Sequence, residues 1–87
     1  MTRREEILTI LMEECAEVIV AASKIKRFGE SSVWNNETAL DSLEKELGDL
    51  QCIIDLLHSE DMVSYTNMDK YAGMKHEKLQ KWSNLFL

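Results

Sequence analysis

Two pairs of carboxylates occupy matching positions in the two long amphipathic segments of this 87-residue chain. Glu14 and Glu17 are three residues apart in the first segment, and Glu46 and Asp49 have the same spacing in the second. Residues three apart lie on one face of an α-helix, so each pair presents its oxygens in a common direction. Four hard oxygen ligands that converge in this way suit Mg²⁺, or Mn²⁺, rather than zinc or copper.

Both pairs interrupt rows that otherwise favour apolar side chains. The first helix has an apolar row with three- and four-residue spacing: Leu8, Leu11, Cys15, Val18, Ala22 and Ile25. The row beside it comprises Ile7, Ile10, Glu14, Glu17, Ala21 and Lys24. The second helix has an apolar stripe of Leu43, Leu47, Leu50, Ile54 and Leu57, with Ile53 alongside. If the stripes pack antiparallel, the carboxylates meet at a partly buried spot, where repulsion and lost hydration favour a bound cation.

The first of the helices that must position these residues has clear end signals. Thr2 with Glu5 three residues later is a capping-box pattern, so the helix is expected to begin near Arg3. Gly29 follows a cationic last turn and is expected to end it. Residues 30–36 then form a polar loop with one tryptophan.

Two further helices are expected after this loop. The second runs from about residue 37 to residue 58, with Asn36 as its cap. Cys15, in the apolar row of the first helix, is expected to pack in the core between them. The third helix runs from about residue 68 to residue 83. An apolar tail follows it, made of Leu85, Phe86 and Leu87.

The composition excludes several classes of protein. Sixteen acidic residues against ten basic ones give a net charge of −6, which argues against nucleic-acid binding through a broad basic face. No apolar run approaches the roughly 18 residues of a membrane span, and no signal peptide precedes the first charges. Two cysteines are too few for a secreted disulfide framework. We therefore expect a cytoplasmic protein that binds neither nucleic acid nor membrane.

The predicted fold class is all-α, with one domain over residues 1–87. Three glycines and no proline favour helix over a turn-rich fold. A chain this short buries only a modest fraction of its surface alone, and the apolar rows of the first two helices are wider than a three-helix monomer covers. We expect a helical hairpin plus a third helix that assembles, as a homo-oligomeric dimer or tetramer, into a helix bundle.

The carboxylate motifs together resemble those of the MazG-like all-α nucleoside triphosphate pyrophosphohydrolases. The signature of that family is EExxE, a gap, and then ExxD. Here the first half is EECAE (Glu13–Glu17) and the second is ELGD (Glu46–Asp49), with a gap of 28 residues, 18–45. The stretch EECAEVIVAASKIKRFG is also similar to the small single-domain members, including those encoded by phages, for which the location is the host cytoplasm.

The resemblance implies Mg²⁺-dependent hydrolysis of a nucleoside or deoxynucleoside triphosphate to the monophosphate and pyrophosphate. The metal ligands of the family correspond to Glu14, Glu17, Glu46 and Asp49. Glu13 matches the first glutamate of EExxE, which implies a catalytic role on the substrate side or in support of the ligands. In such a site the metal neutralises phosphate oxygens and orients a water for attack.

Three further residues are candidates for contact with the nucleotide. Lys24 extends the row of Glu17 and could reach a phosphate, although a cation near a helix end also complements the dipole. Arg27 faces further away and would reach the site only if a second subunit completes it. Trp34, in the loop, either stacks on a base or packs over a helix end.

Two alternative functions remain open from the sequence. Phosphoribosyl-ATP pyrophosphohydrolase has a similar size, fold and carboxylate pattern, but GDLQCIIDLL (residues 48–57) departs from the second motif of that family. A non-enzymatic acidic helical interaction protein would explain the apolar rows. In such a protein, however, the inward carboxylates would lower stability without any function.

Overall fold

A computed structural model describes residues 1–86. Within these residues the element order is α1 (Arg3–Phe28), β1 (Val33–Trp34), β2 (Glu37–Thr38), α2 (Ala39–Ser59) and α3 (Tyr65–Trp82). The mostly helical fold is confirmed, and the small two-stranded sheet is an addition to it. The chain divides into two compact units, Met1–Leu57 and His58–Leu87. Leu87, the last residue of the predicted apolar tail, lies outside the described residues. Oligomeric assembly and a single domain stay predictions.

Helix α1 begins and ends where its local sequence predicts. The Thr2 hydroxyl accepts a hydrogen bond from the Glu5 backbone N–H at 3.1 Å, so it satisfies one of the unpaired donors of the first turn. At the other end Gly29 has φ +91°, in the region that favours glycine, and its N–H donates to the Ile25 carbonyl at 2.8 Å. The 26-residue helix is therefore fixed at both ends by interactions within a few residues.

A tight hairpin connects α1 to α2. Strand β1 pairs antiparallel with β2, with Val33 opposite Thr38 and Trp34 opposite Glu37. The two turn residues, Asn35 and Asn36, have φ of 52° and 67°. Positive φ at both central residues is the pattern of a type I′ turn, whose twist matches that of the strands. The prediction of Asn36 as a helix cap was wrong, because that residue forms the turn.

Helix α2 begins at Ala39, two residues later than predicted, after a reciprocal cap. The Thr38 N–H donates to the Asp41 carboxylate at 3.0 Å, and the Asp41 N–H donates to the Thr38 hydroxyl at 3.1 Å. This is a capping box with aspartate in the acidic position. The Ala39 N–H also donates to the Ser32 carbonyl at 2.9 Å, which ties the start of α2 to the hairpin.

Helices α1 and α2 each have one inner row in which no side chain is exposed. The α1 row is Ile7, Leu11, Glu14, Val18, Ala21 and Ile25, and the α2 row is Ala39, Leu43, Glu46, Leu50, Ile53 and Leu57. All twelve side chains are buried or half-buried. Ten residues connect the two helices, and an oxygen of Glu14, which lies far from that connection on α1, is within 4.8 Å of an oxygen of Glu46. The helices therefore run antiparallel. Cys15 is exposed, so its prediction as a core residue was wrong.

Helix α3 belongs to the second unit and begins three residues earlier than predicted. The Ser64 hydroxyl accepts from the Asn67 N–H at 3.3 Å and caps the helix at Tyr65. None of the residues of α3 is buried. Over residues 1–86, no helix combines the length and the apolar character needed to cross a membrane.

Candidate metal centre

The two inner rows each contain one glutamate, at the third of six positions. Glu14 lies between Leu11 and Val18 in its row, and Glu46 lies between two leucines in the other. Both glutamates are half-buried. The neighbours of each glutamate in its row are half-buried apolar side chains, and oxygens of the two glutamates lie within 4.8 Å of each other.

Asp49 completes a cluster of three carboxylates. Oxygen atoms of Glu14, Glu46 and Asp49 all lie within 4.8 Å of one another. Asp49 follows Glu46 by one helical turn and is exposed, whereas the other two are half-buried. The cluster therefore extends from the packed seam of the hairpin to its surface, where a solute can reach it.

The environment of Glu14 opposes the charged form of its carboxyl group. Its Oε2 atom is buried, and within residues 1–86 it has no hydrogen-bond partner. Loss of hydration raises the pKa of the Glu14 carboxyl above its ordinary value. Neighbouring carboxylates raise this pKa further, in the decreasing order Asp49, Glu46, Glu17 and Glu13. All of these contributions act in the same direction, against the charged form.

The donor set fits a hard divalent cation. Three carboxylate oxygens within 4.8 Å of one another can turn toward one ion, and Mg²⁺ is commonly bound by one or two carboxylates together with water and phosphate oxygens. A cation would also provide the partner that the buried Glu14 oxygen lacks. The chemistry of the three residues thus agrees with a metal site, while exposed acidic groups also occur without one.

Glu17 and Glu13, the other members of EECAE, lie beside this cluster. Both are exposed. Each raises the pKa of Glu14, so their negative charges act on it, but neither contributes an oxygen to the group within 4.8 Å. The sequence predicts four converging ligands, and the structure brings three of them together. A role for Glu17 as the fourth ligand stays a prediction.

The three predicted substrate contacts lie toward the hairpin end of the first unit. Lys24 is exposed and lies about 15 Å along α1 from Glu14, at 1.5 Å per residue. The Arg27 guanidinium is 5.1 Å from the centroid of the Phe28 ring. The Trp34 ring meets the same Phe28 ring edge to face, with centroids 5.7 Å apart, and 53% of Trp34 is exposed.

Comparison with known proteins adds no family to these observations. No protein-family model matches the chain, and no curated protein and no solved structure matches it either. The resemblance to MazG-like enzymes stays a prediction from the two carboxylate motifs in the sequence.

Proposed function

We propose that this chain is a divalent-metal-dependent nucleoside triphosphate pyrophosphohydrolase. The observation that carries the proposal is the Glu14 carboxylate, which has a buried oxygen without a hydrogen-bond partner among residues 1–86 and an oxygen within 4.8 Å of those of Glu46 and Asp49. An interaction protein without chemistry has no use for this arrangement, because it lowers stability. The EECAE and ELGD motifs, which resemble those of MazG-like enzymes, connect the cluster to nucleotide hydrolysis.

In this proposal Glu14, Glu46 and Asp49 hold a Mg²⁺ ion, with Glu17 as a fourth ligand. A bound Mg²⁺ neutralises phosphate charge and lowers the barrier to attack by water. Ionised carboxylates bind the cation, so the raised pKa of Glu14 makes binding at this site dependent on pH. Glu13, which is exposed on α1, accepts a hydrogen bond from the bound nucleotide.

The nucleotide extends from the cluster toward the hairpin. Lys24 lies along α1 between the cluster and the hairpin, and its ammonium group contacts a phosphate. Trp34 exposes about half of its surface and offers a ring on which a base can stack. Arg27, whose guanidinium lies 5.1 Å from the centroid of the Phe28 ring, would reach the nucleotide only if a second subunit completes the site.

The proposal is tested by measuring the release of pyrophosphate from a panel of nucleotides in the presence of Mg²⁺. The panel contains the ribonucleoside and deoxyribonucleoside triphosphates and phosphoribosyl-ATP. We expect at least one triphosphate to give equal amounts of monophosphate and pyrophosphate. Turnover of phosphoribosyl-ATP alone would assign the alternative enzyme, and no turnover of any member would contradict the proposal.

Matched variants on α2 then connect activity to the cluster. Glu46→Gln should reduce turnover by at least 100-fold, which corresponds to about 2.7 kcal/mol of lost transition-state stabilisation. Glu44→Gln, two residues away, changes an exposed carboxylate outside the cluster and should keep activity near wild type. Near-normal turnover in Glu46→Gln would exclude the second motif from the site.

A further inference from the structure

Helix α3 concentrates positive charge in a chain that is otherwise acidic. Its 18 residues contain four lysines and two acidic residues, so their side chains have a net charge of +2. The rest of the chain contains six basic and fourteen acidic residues, a net charge of −8. Helix α3 is therefore the part of the chain whose own side chains attract an anion.

One side of α3 combines all of its lysines with aromatic side chains. At 100° per residue, an arc of about 140° holds Asn67, Lys70, Tyr71, Met74, Lys75, Lys78, Lys81 and Trp82. Every one of these side chains is exposed, and both acidic residues of the helix lie outside the arc. Cations beside exposed aromatic rings suit a ligand that joins a flat base to a phosphate.

A cavity lies along the edge of this side, toward the C-terminal end of α3. It has a volume of about 230 Å³ and is lined by Met74, Glu77, Lys78, Lys81 and Trp82. Met74, Lys78 and Trp82 are four residues apart and form one wall. Glu77 and Lys81, also four apart, form the other. Because all five side chains are exposed, the cavity is a groove open to solvent, called the α3 groove below.

The size of the α3 groove suits a single ring system. Pockets for drug-sized ligands measure roughly 300–1,000 Å³, and the α3 groove is smaller. It therefore accommodates one flat ring and leaves the charged groups of a ligand outside. Trp82 exposes 83% of its surface and offers a face on which such a ring can stack. The Met74 thioether can contact the same ring at its edge.

The polar groups of the α3 groove indicate what else the ligand carries. Lys78 and Lys81 lie on opposite walls, so an anion between their ammonium groups is attracted from both sides. Glu77 lies one turn from Lys81 on the same wall, and its carboxylate accepts hydrogen bonds but repels a phosphate. The three groups together fit a ligand with a phosphate at one end and a neutral N–H donor at the other.

We propose that the α3 groove binds a nucleotide through its base, which stacks on Trp82 and directs an amino group toward Glu77, while its phosphate lies between Lys78 and Lys81. Adenine, guanine and cytosine carry such an amino group, and uracil does not. The α3 groove belongs to the second unit of the chain, whereas the carboxylate cluster belongs to the first. Binding in the groove uses no metal and does not depend on the hydrolysis proposed above.

Fluorescence of Trp82 tests the stacking of the base. The chain has two tryptophans, so Trp34→Phe leaves Trp82 as the only one. EDTA in every titration keeps divalent metal from the carboxylate cluster. Adenosine monophosphate should quench the Trp82 emission in a saturable way, and equilibrium dialysis of wild type should give the same dissociation constant. No saturable quenching, or equal quenching by inorganic phosphate alone, would overturn the proposal.

Matched lysine variants test the phosphate contact. Lys81→Gln removes a charge from the α3 groove and should raise the dissociation constant of adenosine monophosphate by about tenfold, with that of adenosine unchanged. Lys70→Gln removes the same charge from the same side of the helix. Lys70 lies outside the groove, 5.9 Å from the centroid of the Tyr71 ring, so this variant should bind like wild type. An equal effect of the two variants would mean general attraction of anions and overturn the site.

A pair of pyrimidine nucleotides tests the contact with Glu77. Cytidine monophosphate should bind more tightly than uridine monophosphate, because only cytosine carries an amino group. Glu77→Gln should reduce this preference, whatever it does to both affinities, and circular dichroism checks that the variant keeps its helices. An unchanged preference in Glu77→Gln, or none in wild type, would overturn the orientation of the base.

Two other anionic partners are separated by the same assay. A short single-stranded oligonucleotide should bind no more than a few times as tightly as the mononucleotide, because the α3 groove holds one base. Vesicles of phosphatidylserine and phosphatidylcholine should not compete with adenosine monophosphate. An oligonucleotide that binds more than about a hundred times as tightly, or vesicles that bind while the mononucleotide does not, would overturn a nucleotide site.

Discussion

Two carboxylates on the same hairpin, Asp41 and Glu14, have opposite environments. Asp41 accepts a hydrogen bond from the Thr38 N–H at 3.0 Å, and the Thr38 hydroxyl contributes a further one, so the pKa of Asp41 is lowered. Glu14 has a buried oxygen that accepts no hydrogen bond from residues 1–86 and lies among other carboxylates, so its pKa is raised. The first group stabilises the start of α2, whereas the charge of the second opposes folding.

The difference separates a structural carboxylate from a candidate functional one. The partners of Asp41 lie three residues away in sequence, so they form whenever α2 forms. Glu46 and Asp49, whose oxygens lie within 4.8 Å of a Glu14 oxygen, come from the opposite helix and carry the same charge. A metal ion is the partner that would make the Glu14 arrangement favourable. The two regions should therefore respond differently to metal, to substitution and to pH.

The largest expected effect is a rise in melting temperature when Mg²⁺ binds. A ligand that binds only the folded state at 100 times its Kd adds about 2.7 kcal/mol of stability. For a chain of this size the rise is on the order of 10 °C. Scanning calorimetry with millimolar Mg²⁺ or with EDTA measures it. Glu46→Gln should lose most of the rise, and Asp41→Asn should keep it. Equal rises in both variants would place the ion outside the cluster.

A smaller effect is expected at the start of α2. Thr38→Ala removes the hydroxyl that accepts from the Asp41 N–H, and loss of such a cap costs about 1 kcal/mol. The melting temperature should fall by about 4–8 °C, equally with Mg²⁺ and with EDTA. Thr38→Ser keeps the hydroxyl and should melt close to wild type. If the melting temperature fell only in EDTA, the cap would be energetically coupled to the carboxylate cluster, contrary to this prediction.

The smallest effect is a pH dependence of opposite sign in the two regions. The pKa of Glu14 is raised in the folded state, so protonation of Glu14 should stabilise the metal-free protein as pH falls from 7 through this pKa toward 4.5. The pKa of Asp41 is lowered, so its contribution is complete above 3.8 and is lost as pH falls further. Thermal melts in EDTA across this range measure both effects.

The control for the pH dependence is Glu14→Gln, which lacks the titrating group. At each pH, the difference between the melting temperatures of wild type and Glu14→Gln separates the contribution of Glu14 from that of the remaining acidic residues. The difference should shrink as pH falls. A difference that stays constant with pH would mean that Glu14 has the same pKa in the folded and unfolded chains, which would contradict the prediction.

Local signals in the sequence predict several elements well, because their partners are close along the chain. Thr2 and Gly29 fix the ends of α1. The hairpin and the Thr38–Asp41 cap also have local signals, namely the pair Asn35–Asn36 and a threonine followed three residues later by an aspartate. The latter is a capping pattern of the same kind as that at Thr2, but the prediction of Asn36 as the cap overlooked it and began α2 two residues too early.

Packing between helices is less predictable from periodicity. Helix α1 has apolar side chains over a wide arc, and spacing alone does not decide which part of the arc faces α2. The inner row passes through Glu14 and Val18, which belong to different predicted rows, and leaves Cys15 exposed. Pairing across the hairpin also decides that Asp49 joins the cluster while Glu17 stays outside the 4.8 Å group.

The most direct measurement of whether Glu14 holds a cation is the melting temperature of wild type and Glu14→Gln, each with EDTA and with millimolar Mg²⁺. The substitution removes a charge that opposes folding and a metal ligand at the same time. In EDTA the Glu14→Gln protein should melt above wild type, and in Mg²⁺ its rise should be much smaller than that of wild type. Identical melting of the two proteins under both conditions would contradict a cation site at Glu14.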